Sequence, residues 1–182
     1  MIKIRYSFVC ALAFVFIGCS KPNALTNFNF DKFYGKSLQY TLKNDIVTNN
    51  SVSGMLNATY LNAINESDAK NESEEFLVGV FILNDEENDI LVNKNYSITL
   101  NNVKPDSMVL LEKDSKTYAK MPLYNPWATY YIMKFSKEKL KSEFKNSLTK
   151  KQKYKASQYE KINLKLSIDK KQSTTLTFQK VL

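Results

Sequence analysis

A strict alternation of polar and apolar residues runs through one segment near the end of this 182-residue chain. Residues 161–168 read Lys-Ile-Asn-Leu-Lys-Leu-Ser-Ile, so every second side chain is apolar. Because successive side chains of a β-strand point to opposite faces, this pattern predicts a strand with one face buried and the other in water. A polar turn and a second alternating segment, residues 174–178, follow and predict a β-hairpin.

Six further segments are predicted to form strands, and the β-branched and aromatic content of residues 76–83 favours a strand over a helix there. Residues 76–83 are apolar on both faces, which predicts a central strand covered on both sides. The other predicted strands are residues 38–42, 52–61, 96–100, 107–111 and 129–135. Eight short strands separated by polar turns predict a mainly β fold, an antiparallel sandwich or barrel.

One short amphipathic helix is predicted after residue 135. Ser136 is placed to cap its first turn, and Leu140, Phe144 and Leu148 recur every four residues. This spacing puts the three apolar side chains on one side of a helix, and we expect that side to pack on the sheet.

The first nineteen residues have a different character. Lys3 and Arg5 precede ten consecutive apolar residues, 8–17, and then come Gly18 and Cys19. Ten helical residues span only about 15 Å, half of a ~30 Å hydrocarbon core, so the segment indicates an export signal rather than a transmembrane helix.

This segment resembles the type II signal peptide of bacterial lipoproteins, although Phe16 stands where leucine is usual. The resemblance implies cleavage between Gly18 and Cys19, a lipid-modified Cys19 thiol and an acylated amino group. It divides the chain into a cleaved signal peptide (1–18), a lipidated tether (19–27) and a single β-sandwich domain (28–182). Ser20, in place of aspartate, resembles an outer-membrane address, with the periplasmic or surface face left open. Simple secretion is the alternative.

The strand pattern over most of residues 37–182 resembles the immunoglobulin-like domains of small bacterial lipoproteins. This resemblance implies an antiparallel immunoglobulin-like β-sandwich of about seven to eight strands, with Trp127 as a core anchor. The disulfide of antibody domains has no counterpart, because the two cysteines are Cys10 in the signal peptide and Cys19.

Missing residue types exclude several kinds of chemistry. The chain has no histidine, and its one arginine, Arg5, lies in the signal peptide. A Ser-His-Asp triad and an imidazole metal site are therefore excluded, and so is the bidentate guanidinium fork in the domain. We predict no metal and no cofactor.

Two patterns of reactive side chains remain, and neither needs catalysis or metal binding to explain it. Ser-x-x-Lys, the spacing of a serine nucleophile and a lysine base, occurs five times in mostly polar segments, as expected of a lysine-rich chain. The acidic run of Asp85, Glu86, Glu87 and Asp89 lacks the glycine and final glutamate of an EF-hand loop and predicts a solvated hairpin tip. We therefore predict a non-catalytic protein.

The most distinctive segment of the domain is residues 121–131, which hold two prolines, the single tryptophan and three tyrosines. Exposed rigid aromatic side chains bury a large area at little entropic cost, which favours partner binding. The candidate contact residues are Tyr124, Pro126, Trp127 and Tyr130. The alternative, which we favour from the sequence, is that Trp127 and Tyr131 fill the core and the prolines protect a sheet edge.

Positive charge is concentrated in residues 134–155, which contain nine lysines and two glutamates. Such a segment is suited to an anionic envelope ligand, a lipid headgroup or lipopolysaccharide, rather than to nucleic acid. The candidate anion-binding residues are Lys137, Lys141, Lys145, Lys150 and Lys151. A simple solvated face is the other interpretation.

Together these features predict a non-catalytic lipoprotein that acyl chains on Cys19 hold on a membrane of the bacterial envelope, with a structural or protein-binding role. Binding of an anionic ligand through residues 134–155 is the alternative function.

Overall fold

Two antiparallel sheets face each other across one core. The computed structural model describes residues 32–64, 72–83, 89–113, 115, 122–147, 161–168 and 172–179. Within these ranges there are eight strands, two α-helices and a 3-10 turn at Leu61–Ala63. The elements are α1 (Lys32–Gln39), β1 (Thr41–Thr48), β2 (Ser51–Tyr60), β3 (Ser73–Ile82), β4 (Tyr96–Leu100), β5 (Ser107–Leu110), β6 (Thr129–Ser136), α2 (Lys137–Ser147), β7 (Lys161–Ile168) and β8 (Gln172–Gln179).

Five strands form one sheet in the order β1-β2-β3-β6-β5, and three form the other in the order β4-β7-β8. The sheets are joined at the corner where β1 meets β8. There the Asn44 side chain donates to the Thr175 carbonyl at 3.4 Å, and the Thr174 hydroxyl donates to the Asp45 carbonyl at 3.3 Å. In both bonds a side chain of one strand reaches a backbone carbonyl of the other, and they hold the two sheets together at this corner.

The alternation in β7 produces the burial that it predicts. Ile162, Leu164 and Leu166 are fully buried between the sheets, and the polar residues between them face outward. They meet Phe76 and its neighbours on the inner face of β3. The Phe76 ring lies 5.0 Å from Tyr60, 5.2 Å from Phe178 and 6.1 Å from Phe135, measured between ring centroids. These four aromatic rings pack together at the centre of the core.

The mainly β, two-sheet antiparallel architecture is confirmed, but its first strand was predicted in the wrong place. Residues 38–42 were expected to form a strand. The chain instead forms α1, which exposes half of Leu38, and the strand begins at Thr41. Residues 43–45 are three consecutive polar residues, and for this reason the sequence pattern did not indicate a strand there. A strand can contain them because β1 lies at the edge of its sheet.

Two tight turns rely on asparagine. Asn49 and Asn50 connect β1 to β2 with φ angles of 50° and 61°, and Asn101 and Asn102 follow β4 with φ angles of 46° and 70°. Two successive residues with positive φ are the requirement of a two-residue type I′ turn, and asparagine tolerates that region better than other non-glycine residues. The Asn49–Asn50 turn thereby sets the register of β1 with β2, whereas the Asn101–Asn102 turn brings Val103 back to a single bridge with Leu100.

The sandwich has two distinct ends. At one, which we call the helical end, α1 leads into β1 and α2 continues from β6; the Lys137 N–H donates to the Glu72 carbonyl at 2.9 Å, just before β3. At the other, the loop end, lie the β1–β2 turn and the start of β6. The Leu83 N–H there donates to the Ser53 carbonyl at 2.8 Å.

Helix α2 begins as its sequence predicts. The Ser136 hydroxyl accepts from the Lys139 N–H at 3.3 Å, which is the N-cap interaction, and Leu140 is fully buried. Phe144 packs against the edge of the core, while Leu148 lies outside the described residues.

An ion pair ties α2 to the segment before β5. The Lys139 ammonium donates to Asp106, and the Ser136 N–H donates to the same carboxylate at 2.6 Å. These two bonds, the lysine contributing more, hold the pKa of Asp106 below its ordinary value.

The lowered pKa predicts a pH-dependent contribution to stability. A carboxylate with a depressed folded-state pKa stabilises the fold above its unfolded pKa of about 4 and loses that contribution as the pH falls through the folded value. Asp106→Asn should therefore lower the free energy of unfolding at neutral pH by up to about 1 kcal/mol, because the pair is solvent-exposed. Chemical denaturation at several pH values measures this. Glu112→Gln is the matched exposed control, and a deficit that stayed the same from neutral pH down to the most acidic pH at which the domain still folds would contradict the assignment.

Candidate functional site

A second, smaller cluster of buried side chains lies on the outer face of the five-stranded sheet. Leu77 and Tyr130 point away from the main core and pack with Ala128. Residues 122–128, which we call the aromatic loop, cover this cluster and lead directly into β6. The loop therefore packs on the outer face of the sheet, over a small buried cluster that is separate from the main core.

Two buried side chains beneath the loop hold its backbone. Asn57 on β2 donates from its side-chain amide to the Leu123 carbonyl at 3.0 Å. The Tyr130 hydroxyl on β6 accepts from the Asn125 N–H at 2.8 Å and from the Asn57 amide at 3.3 Å. Both side chains are 2% exposed, so these bonds are shielded from competing water.

The loop is also braced internally. The Asn125 side chain accepts from the Trp127 N–H at 3.0 Å, and the Asn125 carbonyl accepts from the Ala128 N–H at 3.1 Å. The Tyr124 ring stacks on Tyr130, with 6.1 Å between the ring centroids and 18° between the ring planes. A turn in which an asparagine side chain accepts a backbone hydrogen bond, with a proline as its next residue, reduces the backbone freedom of the segment.

Gly79 makes this arrangement possible. It lies on β3 between Asn57 and Tyr130 in the strand register, with both side chains above it. A Cβ at position 79 would lie 2.1 Å from the Asn57 Oδ1 and 2.5 Å from the Tyr130 ring. The sequence does carry a sign of this, since an isolated glycine inside an apolar strand often marks a close approach.

The outer surface of the loop is apolar. Leu123 and Tyr124 are each 47% exposed, and Trp127 is 73% exposed, the highest value among the large hydrophobic side chains of the described residues. Leu123 also has a φ angle of 61°, a region that bulky residues rarely occupy. Its backbone is thus held in a strained conformation by the contacts below it.

These positions correct the sequence-based interpretation of the segment. Trp127 is not a core anchor, because Ala128 takes the buried position and the indole points into solvent. Tyr131 does fill the core, as expected. Tyr130 was a candidate contact residue, yet it is buried and supports the loop from below; Pro126 is exposed beside Tyr124 and Trp127.

Other apolar side chains are exposed at the same end of the sandwich. Val47 and Val52 face each other across the β1–β2 hairpin and are 60% and 55% exposed, and Leu83 at the end of β3 is 52% exposed. The loop end therefore presents aliphatic side chains in addition to the aromatic loop.

The lysine-rich segment is less uniformly charged than its sequence indicates. Lys134 pairs with Glu75 at 2.9 Å, and Lys139 pairs with Asp106. Of the candidate anion-binding residues, Lys137, Lys141 and Lys145 lie one turn apart along α2, whereas Lys150 and Lys151 lie outside the described residues. Lys141 and Lys145 are exposed.

Two serines that stand three residues before a lysine, Ser136 and Ser142, make hydrogen bonds within the first turns of α2. Ser136 accepts the capping bond, and the Ser142 hydroxyl donates to the Lys139 carbonyl at 2.8 Å. Within the described residues, no group of three or more Asp, Glu, Cys or His side chains is arranged to hold a metal ion. Asp89 accepts bonds from the Tyr131 hydroxyl and the Leu91 N–H, both at 2.8 Å; the rest of the acidic run, and Gly18 and Cys19, lie outside the description.

A shallow cleft borders α2 and the outer face of the three-stranded sheet. It is lined by Asn101, Asn102, Glu143, Phe144, Lys161, Asn163, Lys165 and Thr175. Polar, open surfaces of this kind leave side chains well hydrated, in contrast to the apolar and enclosed character of most ligand pockets.

Comparison with known proteins gives no relative: no protein-family model matches the sequence, and neither a curated protein nor a solved structure is significantly similar to it. None of the helices within the described ranges combines the length and the apolar character needed to cross a bilayer.

Proposed function

We propose that this chain is a non-catalytic lipoprotein of the bacterial cell envelope that binds a protein partner through the aromatic loop. Acyl chains on Cys19 would anchor it, and the outer membrane is the address that Ser20 favours. The anchor is proposed from the sequence of residues 1–19, and the binding role from the geometry of the loop.

The observation that carries the binding role is that the loop is rigid and apolar at once. Asn57 and Tyr130 fix its backbone from beneath, while Trp127 is 73% exposed. Surface aromatic residues on a preorganised backbone lose little entropy on association, and tryptophan and tyrosine are enriched among the residues that dominate binding energy.

The strained backbone of Leu123 supports the same proposal. Left-handed conformations of non-glycine residues cost of the order of 1 kcal/mol or more and concentrate where function requires a fixed geometry. Here the cost places the Leu123 side chain next to Tyr124 on the exposed surface.

The immunoglobulin-like relationship stays a prediction. The packing of two antiparallel sheets supports it at the level of architecture only.

Anchorage is tested by Cys19→Ala in the full chain. Each buried methylene contributes about 0.8 kcal/mol, so two or more acyl chains hold a protein firmly on a membrane. The variant should lose incorporation of labelled fatty acid and leave the membrane fraction of the expressing bacterium. Cys10→Ala is the control and should behave like the parent. Membrane retention and labelling unchanged by Cys19→Ala would refute the anchor.

The binding role is tested by the pair Tyr124→Ala and Trp127→Ala. Envelope proteins crosslinked to the parent chain are identified first, and the affinity of the recovered partner is then measured. Loss of one central aromatic contact costs about 2 kcal/mol, so each substitution should weaken binding about 30-fold.

Val109→Ala, at an exposed position on β5, is the matched control and should leave that affinity unchanged. Equal binding by the parent and the Tyr124→Ala/Trp127→Ala double variant would show that the loop is not the contact surface.

A further inference from the structure

The helical end is where the proposed lipid tether joins the domain. Thirteen residue steps separate Cys19 from Lys32, the first residue of α1, which is at most about 45 Å of extended chain. The sandwich is about 33 Å high, judged from the ten residues of β2 at a ~3.3 Å rise. A tether of that length leaves the orientation of the domain open, so the surfaces of the domain decide which end meets the bilayer.

Exposed positive charge lies at this end. Lys141 and Lys145 are one turn apart on α2 and both exposed, and Lys104 is exposed in the segment before β5. Lys134 and Lys139 are paired with Glu75 and Asp106, and α2 also carries Glu138 and Glu143. Six lysines therefore stand against four carboxylates in α2, Lys134, Glu75 and the segment before β5, which leaves a net charge of +2. A lysine near an anionic membrane surface strengthens association about five-fold.

Helix α1, the first described element of the domain, adds an apolar contribution. Tyr34 and Leu38 are four residues apart and therefore lie on one side of the helix, 37% and 50% exposed. Tyrosine and leucine side chains at the surface of a short helix that also carries a lysine, Lys36, are suited to the boundary between headgroups and acyl chains.

Among the described residues, the loop end lacks this combination. The exposed lysines there, Lys94 and Lys113, are accompanied by Glu112 and by the half-buried Asp89, so the charges of these four residues cancel. Within the part of the chain that the structure describes, the apolar side chains of the loop end therefore have no net positive charge around them that would attract an anionic bilayer.

We propose that the helical end is a docking surface for an anionic phospholipid bilayer, and that the domain stands with the loop end facing away from it. This inference rests on the proposed lipid anchor. It places the aromatic loop about 30 Å above the membrane, the length of the strands, where a partner on another surface or in the surrounding compartment can reach it.

Trp127 is the only tryptophan of the chain and reports the orientation directly. The lipidated full-length protein is reconstituted into vesicles of phosphatidylethanolamine and phosphatidylglycerol, with or without brominated acyl chains, which quench indole fluorescence on close approach. We expect no loss of Trp127 emission. A second protein, Tyr34→Trp with Trp127→Phe, should lose most of its emission in the brominated vesicles.

The electrostatic contribution is tested in the second protein. Lys141→Gln with Lys145→Gln should reduce the quenching at position 34, as should vesicles of phosphatidylcholine alone or high salt. Lys94→Gln with Lys113→Gln removes the same charge from the loop end and should leave the quenching unchanged. Equal effects of the two double substitutions would overturn the charge-based docking.

Quenching at position 127, or its absence at position 34, would overturn the proposed orientation. Failure of the reconstituted protein to float with the vesicles at all is a different result, because it would refute the lipid anchor itself.

Discussion

Phe76→Ala is expected to lower the free energy of unfolding by about 3–5 kcal/mol, a large part of the stability of a single domain. The Phe76 side chain is fully buried and contacts aromatic rings from β2, β6 and β8, so its removal leaves a cavity that both sheets line. Urea denaturation followed by circular dichroism measures the change.

Trp127→Ala provides the matched control for this prediction. It removes an even larger aromatic side chain, but one that is 73% exposed, and should change the free energy of unfolding by less than about 0.5 kcal/mol. Comparable losses for Phe76→Ala and Trp127→Ala would show that the indole packs into the domain, against the arrangement described above.

Gly79→Ala is expected to destabilise the domain by about 2–3 kcal/mol through overpacking. The new methyl group would overlap the Asn57 side chain and the Tyr130 ring, and neither has free space to move into because both are buried. Relief of that overlap requires the two side chains to give up their bonds to Leu123 and Asn125. Limited proteolysis should accordingly cut the aromatic loop much faster than in the parent, and denaturation should show the loss of stability.

Gly35→Ala tests whether this effect is specific. Nothing lies within 4 Å of a Cβ placed at position 35, and alanine is the better helix former by about 1 kcal/mol, so this variant should be as stable as the parent or slightly more. If Gly79→Ala left proteolysis and stability unchanged, the close packing above β3 would be wrong.

The sequence predicts the structure best where the polarity of each side chain alone determines whether that side chain is buried or exposed. In β7 every second side chain is apolar, and the burial follows that alternation without exception. The cap of α2 was predictable for a related reason, because the Ser136 hydroxyl bonds within a single turn of chain. Both predictions depend on local geometry that any such segment adopts.

The candidate site was only partly predictable, because its parts are distant in the chain. The distinctive composition of residues 121–131 pointed to the loop, but not to which aromatic side chains are exposed. That outcome depends on Asn57 and Gly79, which come from other strands and reach the loop only through strand register. Periodicity cannot report such contacts, and a lone tryptophan in a sequence is equally compatible with core and surface.

Counting lysines likewise overstated the positive surface of residues 134–155. Glu75 and Asp106, which neutralise two of them, precede that segment by 59 and 33 residues along the chain, measured from their lysine partners. A charge run in sequence becomes a charge patch only after such pairs are subtracted.

The asparagine pairs at 49–50 and 101–102 bear on the codon composition that is compatible with this fold. Glycine, the usual residue for left-handed turns, has codons that begin with two guanines, whereas asparagine is encoded by AAT and AAC. The chain contains only 4 glycines, and none of those in the described segments has a positive φ. With asparagine at these two described reversals, a chain encoded mainly by codons rich in A and T can still make turns that need left-handed backbone.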